Sequence, residues 1–111
     1  MPISFRQIID SALSYQKNFV EISGYYHSGF EESSISSYSG FQNSQTKVWL
    51  EFTRELFDSL QRRMKLQTTE DVLTLLEGKK IKIGGILYGD EYGHLGQYAA
   101  SIKYICYIEI F

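Results

Sequence analysis

The sequence predicts an α+β domain: a small five-stranded, partly open antiparallel β-barrel or half-barrel, opened by an N-terminal helix and with helices inserted between strands 3 and 4. Three observations carry this. Four stretches alternate apolar and polar residues, three others repeat apolar residues at helical spacing, and glycines fall where a small barrel must bend. All 111 residues are expected in one domain, because a chain of this length buries one core and not two.

Phe5, Ile8, Ile9, Ala12 and Leu13 form a single stripe of a helix, and Ser4 with Gln7 three residues on makes a capping box at its start. From Phe19 to Tyr26 the alternation is that of a strand, with Val20, Ile22, Gly24 and Tyr26 on one face; Gly24 marks a bulge or a sharp coil. The run from His27 to Ser44 is rich in serine and glycine. It reads as turn or short edge strand anchored by Ile35 and Tyr38. TKVWLEF, Thr46 to Phe52, alternates again, with Val48, Leu50 and Phe52 inward and Lys47, Trp49 and Glu51 opposite.

Leu56, Phe57, Leu60 and Met64 share a helical face. A second helix starts at Thr68–Thr69, carries Glu70 and Asp71 in its first turn where they complement the helix dipole, and stops at Gly78. Lys79 to Leu87 reads as a strand bent at Gly84–Gly85, and the segment from Tyr88 to Gly96, with three glycines, as a loop of special backbone angles. The last strand, Ser101 to Phe111, is apolar on both faces, with Ile102, Tyr104, Cys106, Ile108 and Ile110 together. This order matches a small OB-like barrel. An α+β sandwich with its helices on one face is the competing architecture.

Composition narrows the function classes. The net charge of −2 gives no cationic field to attract a phosphate backbone, so nucleic acid is not the expected partner. The single cysteine, Cys106, forms no internal disulfide and is read as a core residue in a reduced cytosol. The first residues lack a signal-peptide pattern, and no stretch approaches the roughly 20 apolar residues of a membrane span. A cytoplasmic location without membrane attachment is the expectation.

Chemistry-bearing patterns are few. His27 and His94 are both placed in loops beside strand ends, and a histidine pair is the minimum for general acid and base catalysis. Neither lies in a nucleophile motif, and His94, between Gly93 and Gly96, is expected to brace its turn. No spacing for a metal, a P-loop or a dinucleotide occurs, so no cofactor is expected and the chain is not read as an enzyme. Two acidic pairs stand out: Glu31–Glu32 beside Phe30, and Asp90–Glu91 between Tyr88 and Tyr92. If both loops share an outward edge, they form an anionic rim bearing tyrosines, suited to rapid capture of a basic partner. Phe30, Glu31, Glu32, Tyr88, Asp90, Glu91, Tyr92 and His94 are therefore the expected partner-binding residues.

GFEESS (Gly29 to Ser34), VWLEF (Val48 to Phe52), LEGKKIKIGGIL (Leu76 to Leu87) and GHLGQYAASI (Gly93 to Ile102) together resemble small bacterial β-barrel proteins of OB-like topology. The resemblance spans Val20 to Ile108 and speaks for the fold more than for function, because such barrels host many activities. Some bacterial proteins of this size are immunity proteins that block the toxins of contact-dependent inhibition. By that analogy the expected partner is a cognate protein toxin, such as a nuclease, whose cationic cleft the acidic loops cover. The alternative is a single-strand nucleic-acid or oligosaccharide binder that stacks on Tyr25, Tyr38, Trp49 and Tyr104.

Overall fold

The computed structural model describes residues 2–29, 32–38, 43 and 46–111. In chain order the elements are helix α1 (Phe5–Tyr15), strands β1 (Phe19–Gly29), β2 (Glu32–Ser36) and β3 (Val48–Phe52), helices α2 (Arg54–Arg63) and α3 (Thr69–Leu76), and strands β4 (Lys80–Tyr88) and β5 (Ala100–Ile110). Each helix starts on a side-chain cap. Ser4 and Gln7 close the capping box of α1, Thr53 accepts from the Leu56 amide at 3.2 Å, and Thr68 accepts from the Asp71 amide at 3.1 Å. These caps satisfy amides that the first helical turn leaves without partners.

The strands close into a barrel in the order β1-β2-β3-β5-β4, with β4 returning to β1. This is the expected five-stranded OB-like barrel, with two differences: it is closed, and β3 pairs with β5 in parallel. The parallel seam follows from the two helices, which carry the chain between β3 and β4, so that β5 runs beside β3 in the same direction. Its core joins Val20, Ile22, Tyr26, Ile35, Leu50, Ile83, Leu87 and Ile102 inside the barrel. Helix α1 lies at the end where β4 finishes, its Ala12 carbonyl against Gly89. Helix α3 leads into the start of β4 at the other end. Both mouths are thereby plugged by apolar side chains, Phe5 and Ile8 at one and Leu56, Leu60, Val72 and Leu76 at the other.

Three sequence-based placements need correction. His27 is not in a loop, because β1 runs on to Gly29, paired with β2 throughout its last five residues. Glu32–Ser36 is a full barrel strand with neighbours on both sides. Cys106 is exposed. The cause is a register break in β5 opposite Gly84–Ile86, where Tyr104 takes a left-handed φ of 53°. The bulge shifts the alternation, so Ile105 and Ile108 face the core while Tyr104 and Cys106 turn out.

Candidate functional site

Barrel register sets one row of side chains on the outer surface. His27 pairs with Ser34, Ser34 with Trp49, Trp49 with Ser101 and Ser101 with Tyr88. All five alternate with core residues and face away from the interior. Strand tilt therefore brings the end of β1 and the end of β4 onto one outer face centred on β2 and β3, although those ends lie toward opposite mouths.

Residues 89–99, between β4 and β5, fold over this face. Gly93 (φ 68°) rests against Trp49 so closely that an added Cβ would lie 2.6 Å from the Trp49 Cβ. The His94 ring stacks on Trp49 with centroids 6.1 Å apart and planes inclined by 23°, and Tyr98 tilts against the same indole at 5.1 Å. Trp49 is packed, as its alternation with Val48 and Leu50 allows, but under a loop and not a helix. Backbone bonds fix the loop's shape: the Tyr98 amide donates to the Tyr92 carbonyl at 2.8 Å and the Gly96 amide to the Gly93 carbonyl at 3.1 Å. The Ser101 hydroxyl donates to the Glu91 carbonyl at 2.9 Å.

Beneath the loop sits a polar cluster that centres on Glu32. Its Oε2 accepts from Lys47 Nζ at 2.8 Å, from Ser34 Oγ at 2.9 Å and from Tyr98 Oη at 3.3 Å. The last bond ties the loop to the start of β2. Burial raises the Glu32 carboxyl, but hydrogen bonds from Lys47 and Ser34 outweigh it and hold the group below its usual value. Burial pushes the Tyr98 hydroxyl up to about 12, and the Glu32 carboxylate adds to the rise.

His27 adjoins the cluster, 2.6 Å from Ser36 Oγ through Nε2. Ser36 has one hydroxyl proton and gives it to the Tyr38 carbonyl at 2.8 Å, so Nε2 must be the donor. A base that activates Ser36 would need the opposite arrangement, and Ser36 is fully buried. Burial lowers the His27 pKa below its ordinary 6.5, Lys47 lowers it further, and Glu32 and Glu77 oppose the shift. The unfolded chain therefore takes up this proton first. Stability from neutral His27 is present above about pH 6.5 and lost as pH falls below it. Urea midpoints should drop between pH 7.5 and 5.5, and His27→Gln should flatten that slope. An equal slope in the variant would move the effect to another group.

The expected partner-binding residues divide. Phe30 and Glu31 lie outside the described residues. Glu32 and the loop residues do meet on one face, through Tyr98. Yet Glu32 is ion-paired with Lys47, and Glu91 with Lys103, which also lies 3.8 Å from Glu51. Tyr88 is half-buried, with Lys103 and Lys17 ammoniums 5.1 and 5.9 Å from its ring centre and Tyr104 beside it. Asp90 is exposed, and Tyr92 is 47% exposed. His94, whose glycine-flanked position implies a bond to backbone or to a loop carboxylate, stacks its ring on Trp49.

Sequence reasoning did not single out Lys47, Ser34, Ser36, Tyr98 or Leu95. Only Lys47 carried a signal, as the outward neighbour of Trp49 in the TKVWLEF alternation. Among the described residues, no group of three or more His, Cys, Asp or Glu could hold a metal ion, and no helix is long and apolar enough to cross a membrane. Compared with protein families, curated proteins and solved structures, the chain finds no match.

Proposed function

We propose that this chain is a binding inhibitor, an immunity protein that neutralises a bacterial toxin such as a nuclease by covering its cationic cleft. The observation that carries this reading is the bracing of residues 89–99 over β2 and β3, which holds Asp90, Tyr92 and the Glu32 cluster in one preformed surface. Preorganisation lowers the entropy cost of association. Four carboxylates on this surface, Glu32, Glu51, Asp90 and Glu91, outnumber the ion-paired lysines Lys47 and Lys103, with Lys17 a third cation on the Tyr88 ring. The balance is mildly acidic and suits a cationic partner.

The test is growth of cells that express a nuclease toxin domain encoded beside this chain. The chain should restore growth and form a salt-sensitive 1:1 complex. Asp90→Lys with Glu51→Lys should slow association roughly tenfold at low salt by removing the acidic surplus. No rescue, or an unchanged association rate, removes this surface from the account.

The barrel topology favours a second reading, since the β2–β3 face and the loops after β1 and β4 are where OB barrels take oligonucleotides and oligosaccharides. Against it, Trp49 is covered by His94 and Tyr98, and Lys47 is engaged by Glu32. Quenching of the sole tryptophan by short single strands at low salt would support this second reading over the first.

A further inference from the structure

The geometry points to Leu95 as the anchor of a protein-binding tip, one that seats in an apolar recess of a folded partner edged by cationic side chains. This rests on the binding reading above and specifies what kind of surface the partner must offer.

Leu95 is in a left-handed backbone conformation (φ 58°, ψ 14°) between Gly93 (φ 68°) and Gly96 (φ 66°). That region suits glycine and disfavours a leucine, whose Cβ crowds the following carbonyl. The side chain so placed is 74% exposed, more than any other large apolar residue described. An isolated exposed leucine needs no explanation. Here the combination does: a strained backbone, held by the Gly96–Gly93 and Tyr98–Tyr92 backbone bonds and by His94 on Trp49, presents a leucine that the other described residues leave largely open. Strain kept in place by a rigid surround is a feature of binding sites more than of passive turns.

The neighbours define the complement. Tyr92 is half-exposed, and Asp90 is open to solvent two residues before it. An aliphatic anchor carried on the same loop as an exposed tyrosine and an exposed carboxylate fits a pocket with an apolar floor and a basic rim. A nucleic-acid strand offers no such recess. An anionic lipid surface would be repelled by the exposed Asp90 carboxylate.

The test selects a naive displayed library of folded single-domain binders against the whole chain. Leu95→Gly removes the side chain and relaxes the backbone, and Leu95→Asn keeps a residue that tolerates the left-handed region. Emission from Trp49 reports whether the loop stays seated in each variant. The expected result is that most selected binders lose at least about tenfold in affinity on both variants while Trp49 emission is unchanged. Binders that hold either variant as tightly as the wild type, or a selection that enriches nothing, would overturn the proposal. So would Leu95-dependent sedimentation with vesicles of phosphatidylcholine and phosphatidylserine, which would assign the tip to membranes. Failure of the inhibitor reading is seen separately, as a toxin that remains active beside the wild-type chain; Leu95-dependent binders would then still stand and assign the tip to a different protein.

Discussion

Gly24→Ala is expected to destabilise the protein by about 3 kcal/mol, the upper end of the cost of overpacking a filled core. Gly24 lies on the inward face of β1 between Ile22 and Tyr26, where three groups converge. A Cβ there would stand 2.5 Å from the Ser36 carbonyl oxygen, 2.6 Å from Phe5 Cζ and 2.8 Å from Ile35 Cγ1. Phe5 can swing away only by unplugging the barrel mouth, and the Ser36 carbonyl belongs to the strand paired with β1 at Tyr25. Neither adjustment is cheap. For a chain of this size a loss of about 3 kcal/mol lowers the melting temperature by roughly 10 to 20 °C, which calorimetry reads directly. Adding Phe5→Ala should recover part of it, since it removes one of the three clashes, so the double variant should be less destabilised than the sum of the two singles. Strict additivity, or a loss under about 1 kcal/mol for Gly24→Ala alone, would mean that the mouth of the barrel is looser than its packing implies.

Gly24 also shows what kind of information was readable in advance. A glycine inside an alternating strand is a local signal, and its meaning, a close approach by other groups, is local too. The same holds for the Ser4–Gln7 capping box, the stop of α3 at Gly78 (φ 74°), and the bend at Gly84–Gly85, where an added Cβ would meet Tyr107 or Lys103. Features set by partners far away in the chain were not readable. Ser34 and Ser36 are fully buried on the outer face of the barrel, Ser34 bonded to Glu32 and Ser36 to His27 and the Tyr38 carbonyl, and nothing in a run of serines announces that. The parallel seam joins Val48 to Ala100, a contact no local pattern encodes. In β5 the sequence alternates in one phase from Ile102 to Ile110, and the bulge at Tyr104 breaks that phase in the fold. Asp90 and Glu91 lie in the loop after β4 that their sequence context implies, but Glu32 opens strand β2, and the lysines that neutralise Glu32 and Glu91 come from the approach to β3 and from β5.

Lys47→Met is expected to cost about 2 kcal/mol and to free the loop from the β2–β3 face. Lys47 is nearly buried, with a side chain 9% exposed, and its ammonium is the only cation ion-paired with Glu32 among the described residues. Removing it leaves the Glu32 carboxylate, three-quarters buried, with only the Ser34 and Tyr98 hydroxyls. Breaking one partner of a fully buried pair costs about 3–5 kcal/mol, and the residual water access to Glu32 brings that down. The loss should itself depend on pH. Lys47 helps hold the Glu32 pKa below its ordinary 4.5, so the pair's stabilisation is present above about pH 4.5 and lost as pH falls below it. Wild type and variant should therefore converge in stability on acidification, while His27, whose pKa is held below 6.5, affects them unequally because Lys47 is one of the groups that repels its proton. Glu32→Gln in the Lys47→Met background should recover most of the loss by removing the stranded charge, whereas Glu32→Gln alone should cost about 1 to 2 kcal/mol. Because the Tyr98 hydroxyl bonds the same oxygen, Trp49 emission should shift to the red in Lys47→Met as the loop loosens, and hydrogen exchange at Gly96 and Tyr98 should quicken. A variant that loses stability while Trp49 emission and exchange at Gly96 stay unchanged would separate the ion pair from the loop. The face over β2 and β3 would then owe its shape to the stacking of His94 and Tyr98 on Trp49 alone.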